Sequence, residues 1–308
     1  MTSKVLVVGS ATMELSLNVY KMPEAGERIS DDGGVAYIPA GKGTRGAVAL
    51  KRLGADPVLS TKLSADLHGR IIYDFYRAAG LDCSHVMVER DADYPTALSV
   101  IIREGGAERR ICYPGVSTRI TQENIYSSFA ESPDALLVSL DAGVETALTS
   151  MKIAYGKGVP VFLDATPADR SVQLENFPTA EVIFFNEQST LEYTGQAPAG
   201  ADASLRASLA LWRRVKAKYI VIKQGQRGAS IYDGKHFDMV SPPRVDKVVD
   251  ASLAGDTFNA AFITEYLRTG EVKGAAKYGT VAAAIAVSRA GTVSSVPTEE
   301  EVRAFISR

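Results

Sequence analysis

Val249-Asp-Ala-Ser-Leu-Ala-Gly-Asp-Thr-Phe-Asn259 is the stretch on which the reading of this 308-residue chain turns. Ala254 and Gly255 are small and precede Asp256, while Phe258, Ala261, Phe262 and Tyr266 follow at helical spacing. The chain therefore enters a helix through a small-residue turn, which leaves first-turn N–H groups without carbonyl partners. Together with the helix dipole such groups form a site for an anion. Asp256 at that turn either caps the helix or takes a proton from a bound hydroxyl, and the residues alone leave both open.

Outward from this stretch, short β-branched runs alternate with helical patterns. Strands are expected at 4–8, 58–61, 135–139, 159–164, 182–185, 219–223 and 229–233. Helices are expected at 43–53, 68–79, 145–155, 203–216, 256–268 and 272–290. Repeated strand–helix–strand units predict a central, mostly parallel sheet with helices on both faces. Residues 12–40 and 94–114 break that rhythm with β-rich runs and turn glycines and no helices between them. They are read as a small antiparallel β lid on a single α/β domain spanning 1–308.

Composition narrows the function. Hydrophobic residues are 46% and charged residues 23%, enough apolar mass to offset ordering entropy and exclude a disordered chain. Lys plus Arg is 34 against 36 Asp plus Glu, a net charge of -2, so there is no electrostatic footprint for nucleic acid or anionic lipid. Cys83 and Cys112 form no C-x-x-C pair, and His68, His85 and His236 are scattered. The opening residues lack the apolar core of a signal peptide, and no run is long enough to span a bilayer. A cytoplasmic protein is expected.

Further polar motifs fall where strands end, which is where open α/β sheets hold ligands. Ala40-Gly-Lys-Gly-Thr-Arg45 opens a helix but is no Walker loop, because Ala36 and Gly43 stand where that pattern needs Gly and Ser or Thr. It reads either as a close-approach loop with Lys42 and Arg45 as contacts or as an ordinary glycine turn. Gly9-Ser-Ala-Thr-Met-Glu14 keeps only the first glycine of a dinucleotide fingerprint. Ile222-Lys-Gln-Gly-Gln-Arg-Gly228, Phe185-Asn-Glu-Gln-Ser189, Asp164-Ala-Thr-Pro167 and Asp141 complete the set.

In this order and at these distances the motifs resemble the ribokinase family of carbohydrate and nucleoside kinases, also called the PfkB family. The likeness spans nearly the whole chain. It includes Gly9-Ser10, the 40–45 loop, Asp66-Leu-His-Gly69, 164–167, Asn186-Glu187, 223–228, 250–256 and the 283–292 stretch ending at Thr292. The resemblance implies a lidded ribokinase-like α/β fold and transfer of the ATP γ-phosphoryl group to a hydroxyl of a small carbohydrate. Asp256 would be the general base, and the N–H groups of Leu253, Ala254 and Gly255 the anion hole. Thr12, Glu14, Gly41, Lys42, Arg45 and Asp141 would bind the sugar. Asn186, Lys223, Gly225, Gly228 and Thr280 would serve the nucleotide. Magnesium would accompany ATP. Asp250, Ser252, Ala286, Arg289, Gly291 and Ser295 match the loops that hold a monovalent cation, potassium, in many members. A homodimer through the lid is a further implication.

The chain departs from the family pattern in four places. Leu253 stands where a glycine is usual, and leucine does not readily take positive φ. Ser189 replaces the Glu of the Asn-x-x-Glu motif, and a regular helix would turn neighbouring Glu187 away. Thr12 and Glu14 replace Asn and Asp, and the 40–45 loop ends in Thr-Arg instead of Ala-Asn. Arg45 suggests either an acceptor with an anionic group or an Arg45–Glu14 pair shaping a neutral pocket. A nucleoside kinase of the same fold and a non-catalytic sugar or nucleotide sensor are the competing functions.

Overall fold

Runs of apolar residues with no polar alternation form strands covered on both faces, and parallel strands of this kind need helical crossovers. The computed structural model describes residues 2–30, 33–91, 93–291 and 293–307. In chain order the elements are β1 (Lys4–Val8), β2 (Thr12–Val19), β3 (Val35–Ala40), α1 (Lys42–Arg52), β4 (Asp56–Ser64), α2 (Leu67–Ala78), β5 (Val86–Glu89), β6 (Ala97–Glu104), β7 (Ala107–Tyr113), α3 (Gln122–Ser128), β8 (Ala135–Ser139), α4 (Val144–Lys157), β9 (Val161–Asp164), β10 (Ala180–Asn186), α5 (Glu187–Thr194), α6 (Ala201–Trp212), β11 (Ala217–Lys223), β12 (Ala229–Tyr232), β13 (Phe237–Val240), α7 (Ala254–Thr269), α8 (Val272–Val287) and α9 (Glu299–Ile306), with short 3-10 turns between some of them.

The main sheet has nine strands in the order β13-β12-β11-β10-β9-β8-β1-β4-β5. Pairings from β5 through to β11 are parallel, and β12 and β13 fold back antiparallel at one edge. Val5 and Val7 of β1 point into one core and Leu6 and Val8 into another, so the sheet divides two apolar layers. The first layer draws on α1, α2, α7 and α8, the second on α3, α4 and α6. From β1 the chain builds outward through β4 and β5, then returns on the other side through β8. The carboxyl ends of β1 and β8 therefore diverge at a switch point, the usual ligand crevice of such sheets.

Four strands make the second sheet, in the order β3-β2-β6-β7. Its outer pairings are antiparallel, and its central one, where β2 meets β6 of the other segment, is parallel. Register places Ile38, Glu14, Ser99 and Cys112 across one face and Tyr37, Leu15, Val100 and Ile111 across the other.

Several boundaries move from those expected. α7 starts two residues earlier, at Ala254, and α8 ends at Val287 instead of 290 because Ser288 closes it and the chain turns. α6 stops at Trp212, and β5, β13, α3 and α9 carry patterns too short to have been read. Thr292 of the 283–292 stretch and positions 31–32 of the lid segment lie outside the described residues. Among the described residues no helix is long and apolar enough to cross a membrane.

Candidate active site

A cleft of about 1620 Å³ runs between the second sheet and the carboxyl ends of the main sheet. That exceeds the ~300–1,000 Å³ of an ordinary ligand pocket and leaves room for two ligands end to end. Its wall holds Thr12, Glu14, Gly41, Lys42, Arg45 and Asp141 together with Asn186, Lys223, Gly225, Gly228 and Thr280. Ser252, Ala254, Gly255 and Asp256 lie along the same wall. The two sets of expected ligand residues thus share one cavity.

Asp256 is the third residue of α7 and not its cap; Leu253 takes the cap position and offers no side-chain bond. The Asp256 carboxylate, 8% exposed, instead faces two cations. Lys42 Nζ lies 3.2 Å from Oδ1, and Arg45 Nη1 lies 3.8 Å from Oδ2. Leu253 has φ −105°, so this turn never calls on the positive φ that glycine would supply, and its side chain is buried in the core. Ala254 N–H donates to Ala251 O at 3.2 Å, which removes it from the expected anion hole. Gly255 and Asp256, in the first helical turn, have no preceding helical carbonyl to bond.

Lys42 is the first residue of α1, entered through Gly41 at φ +96°. A side chain on Gly41 would overlap the Ser10 carbonyl, so α1 can start hard against the end of β1. Lys42 Nζ donates to Asp164 Oδ2 at 2.8 Å as well as to Asp256. Burial alone would lower its pKa, but the carboxylates of Asp164, Asp256 and Asp141 outweigh burial and hold it above the ordinary lysine value.

Asp141 is differently engaged from the expected sugar contact. It accepts from Ser10 N at 3.3 Å, from Ser10 Oγ, from Ser139 Oγ at 2.6 Å and from Lys42 N at 3.0 Å. Four donors fill a carboxylate's lone-pair sites. Asp141 therefore clamps the ends of β1 and β8 and the start of α1. Arg45, 9% exposed, donates to Glu14 at 2.9 Å, and Arg110 reaches the same Glu14 oxygen at 3.5 Å.

On the other side, Asn186 caps α5 by accepting from Ser189 N at 2.7 Å, and Ser189 Oγ accepts from Asn186 N at 2.9 Å. Ser189 thus closes a capping box. Glu187 is not turned away: it lines the cleft and pairs with Arg227. Lys223 Nζ donates to Asn259 Oδ1 at 2.8 Å and to Gly255 O at 3.4 Å. Burial pulls its pKa below the ordinary value, against the opposing pull of Asp164 and Asp256.

The expected cation residues are only partly gathered. Val249 N and Asp250 N both donate to Val287 O, at 2.7 and 3.2 Å, which seats their loop on the end of α8. Asp250 Oδ1 accepts from Ser252 N and Oγ at 2.9 and 2.6 Å. Arg289 turns its guanidinium outward onto Glu301, so only its carbonyl could face a cation. Leu253, Asp250, Ala286, Arg289, Gly291 and Ser295 do not line the cleft. Arg110 joins the cleft wall, and Asp164 and Asn259, which do not line it, reach the site through hydrogen bonds to Lys42 and Lys223; none of the three is among the expected site residues. Asn259 stands three places after Asp256 on one helix face, and Asp164 ends a strand, so both signals were present in the sequence.

Comparison with known proteins identifies the family. Residues 2–299 match the family described as pfkB family carbohydrate kinase. A ribokinase of Bacillus subtilis is 26% identical over 308 residues, covering 98% of this chain and 99% of its own. The bifunctional ribokinase/ribose-5-phosphate isomerase A of Fructilactobacillus sanfranciscensis is also 26% identical, and there the chain spans only 56% of the relative's length. In structure, an Arabidopsis thaliana ribokinase solved with ribose and ATP superposes with a TM-score of 0.87 at 22% identity, each chain covered in full. With the matched residues running almost end to end, the chain belongs to the pfkB family of carbohydrate kinases.

Proposed function

We propose that this kinase transfers the γ-phosphoryl group of ATP to a hydroxyl of a small neutral carbohydrate, with Asp256 as general base. The observation that carries this reading is the position of the Asp256 carboxylate: in the cleft wall at the start of α7, bonded by Lys42, with Lys223 bonded to the carbonyl of neighbouring Gly255. The acceptor hydroxyl would meet Asp256 and give it a proton as its oxygen attacks the γ-phosphorus, while the bond from that phosphorus to the bridging oxygen breaks and ADP leaves. Charge on the transferred group would fall on the first-turn N–H groups of Gly255 and Asp256 and on the two lysines. Phosphoryl transfer depends mainly on such positioning and electrostatic stabilisation.

The neutral acceptor rests on Arg45. Its charge is answered by Glu14 at 2.9 Å, and Arg110 is shared between Glu14 and Glu108. These pairs favour a polyhydroxy ligand over a sugar acid. Magnesium, arriving on the ATP phosphates, supplies charge neutralisation when bound; the oxygen donors of Glu187 and Asp246 in the wall suit a hard cation. For potassium, Asp250 supplies a carboxylate beside the end of α8, where the N–H groups of Val249 and Asp250 bond Val287 O and bring loop and helix end together. Use of ATP argues for the cytoplasm. A homodimer through the second sheet is part of the same proposal, since Val35, Tyr37 and Ile111 on one face are 58%, 58% and 70% exposed.

An ATP-consumption assay over pentoses, hexoses, sugar acids, sugar phosphates and nucleosides, with magnesium and potassium, tests the reading. We expect turnover on a neutral sugar, falling by about 10²–10⁴-fold in Asp256→Asn. Turnover confined to sugar acids would overturn the neutral acceptor, and turnover confined to nucleosides the carbohydrate. Nucleotide binding without turnover on any class would make the protein a sensor.

A further inference from the structure

Asp164 takes no part in the proposed phosphoryl transfer and does not line the cleft, yet it bonds Lys42, which does. It ends β9 and is 2% exposed. Oδ2 accepts from Lys42 Nζ at 2.8 Å and from Asn259 Nδ2 at 3.0 Å, while Oδ1 accepts from Thr166 Oγ1 at 2.7 Å. Asn259 passes the connection on, because its Oδ1 receives Lys223 Nζ at 2.8 Å. Lys42 then reaches Asp256, and Lys223 reaches Gly255 O. One buried carboxylate thus stands between a lysine on the acceptor side and a lysine on the donor side.

We propose that Asp164 is a positioning residue that yokes Lys42 and Lys223, so that the acceptor-side and donor-side cations are placed together around the start of α7. The inference rests on the phosphotransfer reading of the site. A buried ammonium group with no counter-charge sheds its proton or swings toward water. Two such groups near each other also repel. Asp164 supplies the missing charge to both, directly for Lys42 and across Asn259 for Lys223. Burial would raise the carboxyl's own pKa, and Lys223 and Lys42 reverse that, so it stays ionised.

The arrangement makes two variants separable. Asp164→Asn keeps the shape and removes the charge, which loosens both lysines. Asn259→Ala cuts only the arm to Lys223 and leaves Lys42 on Asp164 and Asp256. A residue that merely supported the fold would lower stability without producing this division.

The test measures binding of the magnesium complex of AMP-PNP by calorimetry, beside steady-state kinetics on the acceptor that the panel identifies. Thermal unfolding shows that each variant is folded. Loss of a hydrogen bond to a charged group is worth roughly tenfold or more in affinity. Asp164→Asn should therefore weaken AMP-PNP binding about tenfold and lower kcat by a similar factor. Asn259→Ala should weaken AMP-PNP binding and raise the KM for ATP while leaving the acceptor KM unchanged. Wild-type nucleotide affinity in both folded variants overturns the proposal, as does an equal rise of both KM values in Asn259→Ala. If Asp164→Asn does not fold, Asn259→Ala decides alone. A wild-type chain without turnover would refute the phosphotransfer reading instead, and the AMP-PNP comparison would still decide the yoke.

Discussion

Asp256 owes its chemistry to where α7 begins. At the helix cap its carboxylate would be occupied by first-turn N–H groups; at the third helical position it faces the cleft, Lys42 and Arg45. Lys223 is a cleft lysine whose charged form burial disfavours. Burial lowers its pKa from 10.5, so its charge is lost at a lower pH than that of an exposed lysine. Binding that uses this charge weakens as pH rises through the lowered value. AMP-PNP affinity followed upward from neutral pH should therefore decline before 10.5 is reached, and earlier still in Asp164→Asn, which removes an opposing pull. An affinity flat up to 10.5 would mean that Lys223 does not hold the nucleotide.

At the level of elements, the site depends on how closely α1 approaches β1. A Cβ on Gly43 would lie 2.6 Å from Gly9 O, and one on Gly9 would lie 2.6 Å from Gly43 N. Backbone meets backbone there, which brings Lys42 to the cleft floor and lets Asp141 bind Ser10 N and Lys42 N together. Gly43→Ala forces the two elements apart. We expect a stability loss of ~1–3 kcal/mol by denaturant titration, with kcat falling further than stability explains because Lys42 moves. The α2 cap does similar service for the second sheet: Asp66 accepts from Gly69 N at 2.7 Å and from Thr96 N at 2.7 Å, just before β6 begins. That double use explains the Asp66-Leu-His-Gly69 motif, since a side chain on Gly69 would overlap Ser64 O.

At the scale of the whole molecule, the second sheet carries a partly exposed apolar face. Tyr37, Leu15, Val100 and Ile111 lie in one cross-strand row on the face opposite Glu14 and Ser99. A two-layer sheet needs its apolar face buried, and a second copy of the same face would do it isologously. Light scattering should give a dimer for the wild type and a monomer for Tyr37→Glu/Ile111→Glu. Because those side chains face away from the cleft row, AMP-PNP binding should persist in the monomer. A wild-type monomer would end the dimer proposal.

The two layers of the main sheet were legible in the chain because burial on both faces forces continuous apolar runs, as in Leu6–Val8 or 182–185. The strand-end polar residues were legible for the same reason, since position relative to a strand is a local property. Partnership is not. Whether Asp256 caps a helix or faces Lys42 depends on where α7 begins, and packing decided that. The pairing of Arg45 with Glu14 needed β2 and α1 to be adjacent; the occupation of all four sites of Asp141 needed β1 and β8 to be neighbours. Lys42, Asp164 and Lys223 lie far apart in sequence and act on one another only because the start of α1 and the ends of β9 and β11 converge. Local sequence determined which residues could carry charge into the cleft, and tertiary structure decided which charges meet, because electrostatic coupling follows distance in space and not along the chain.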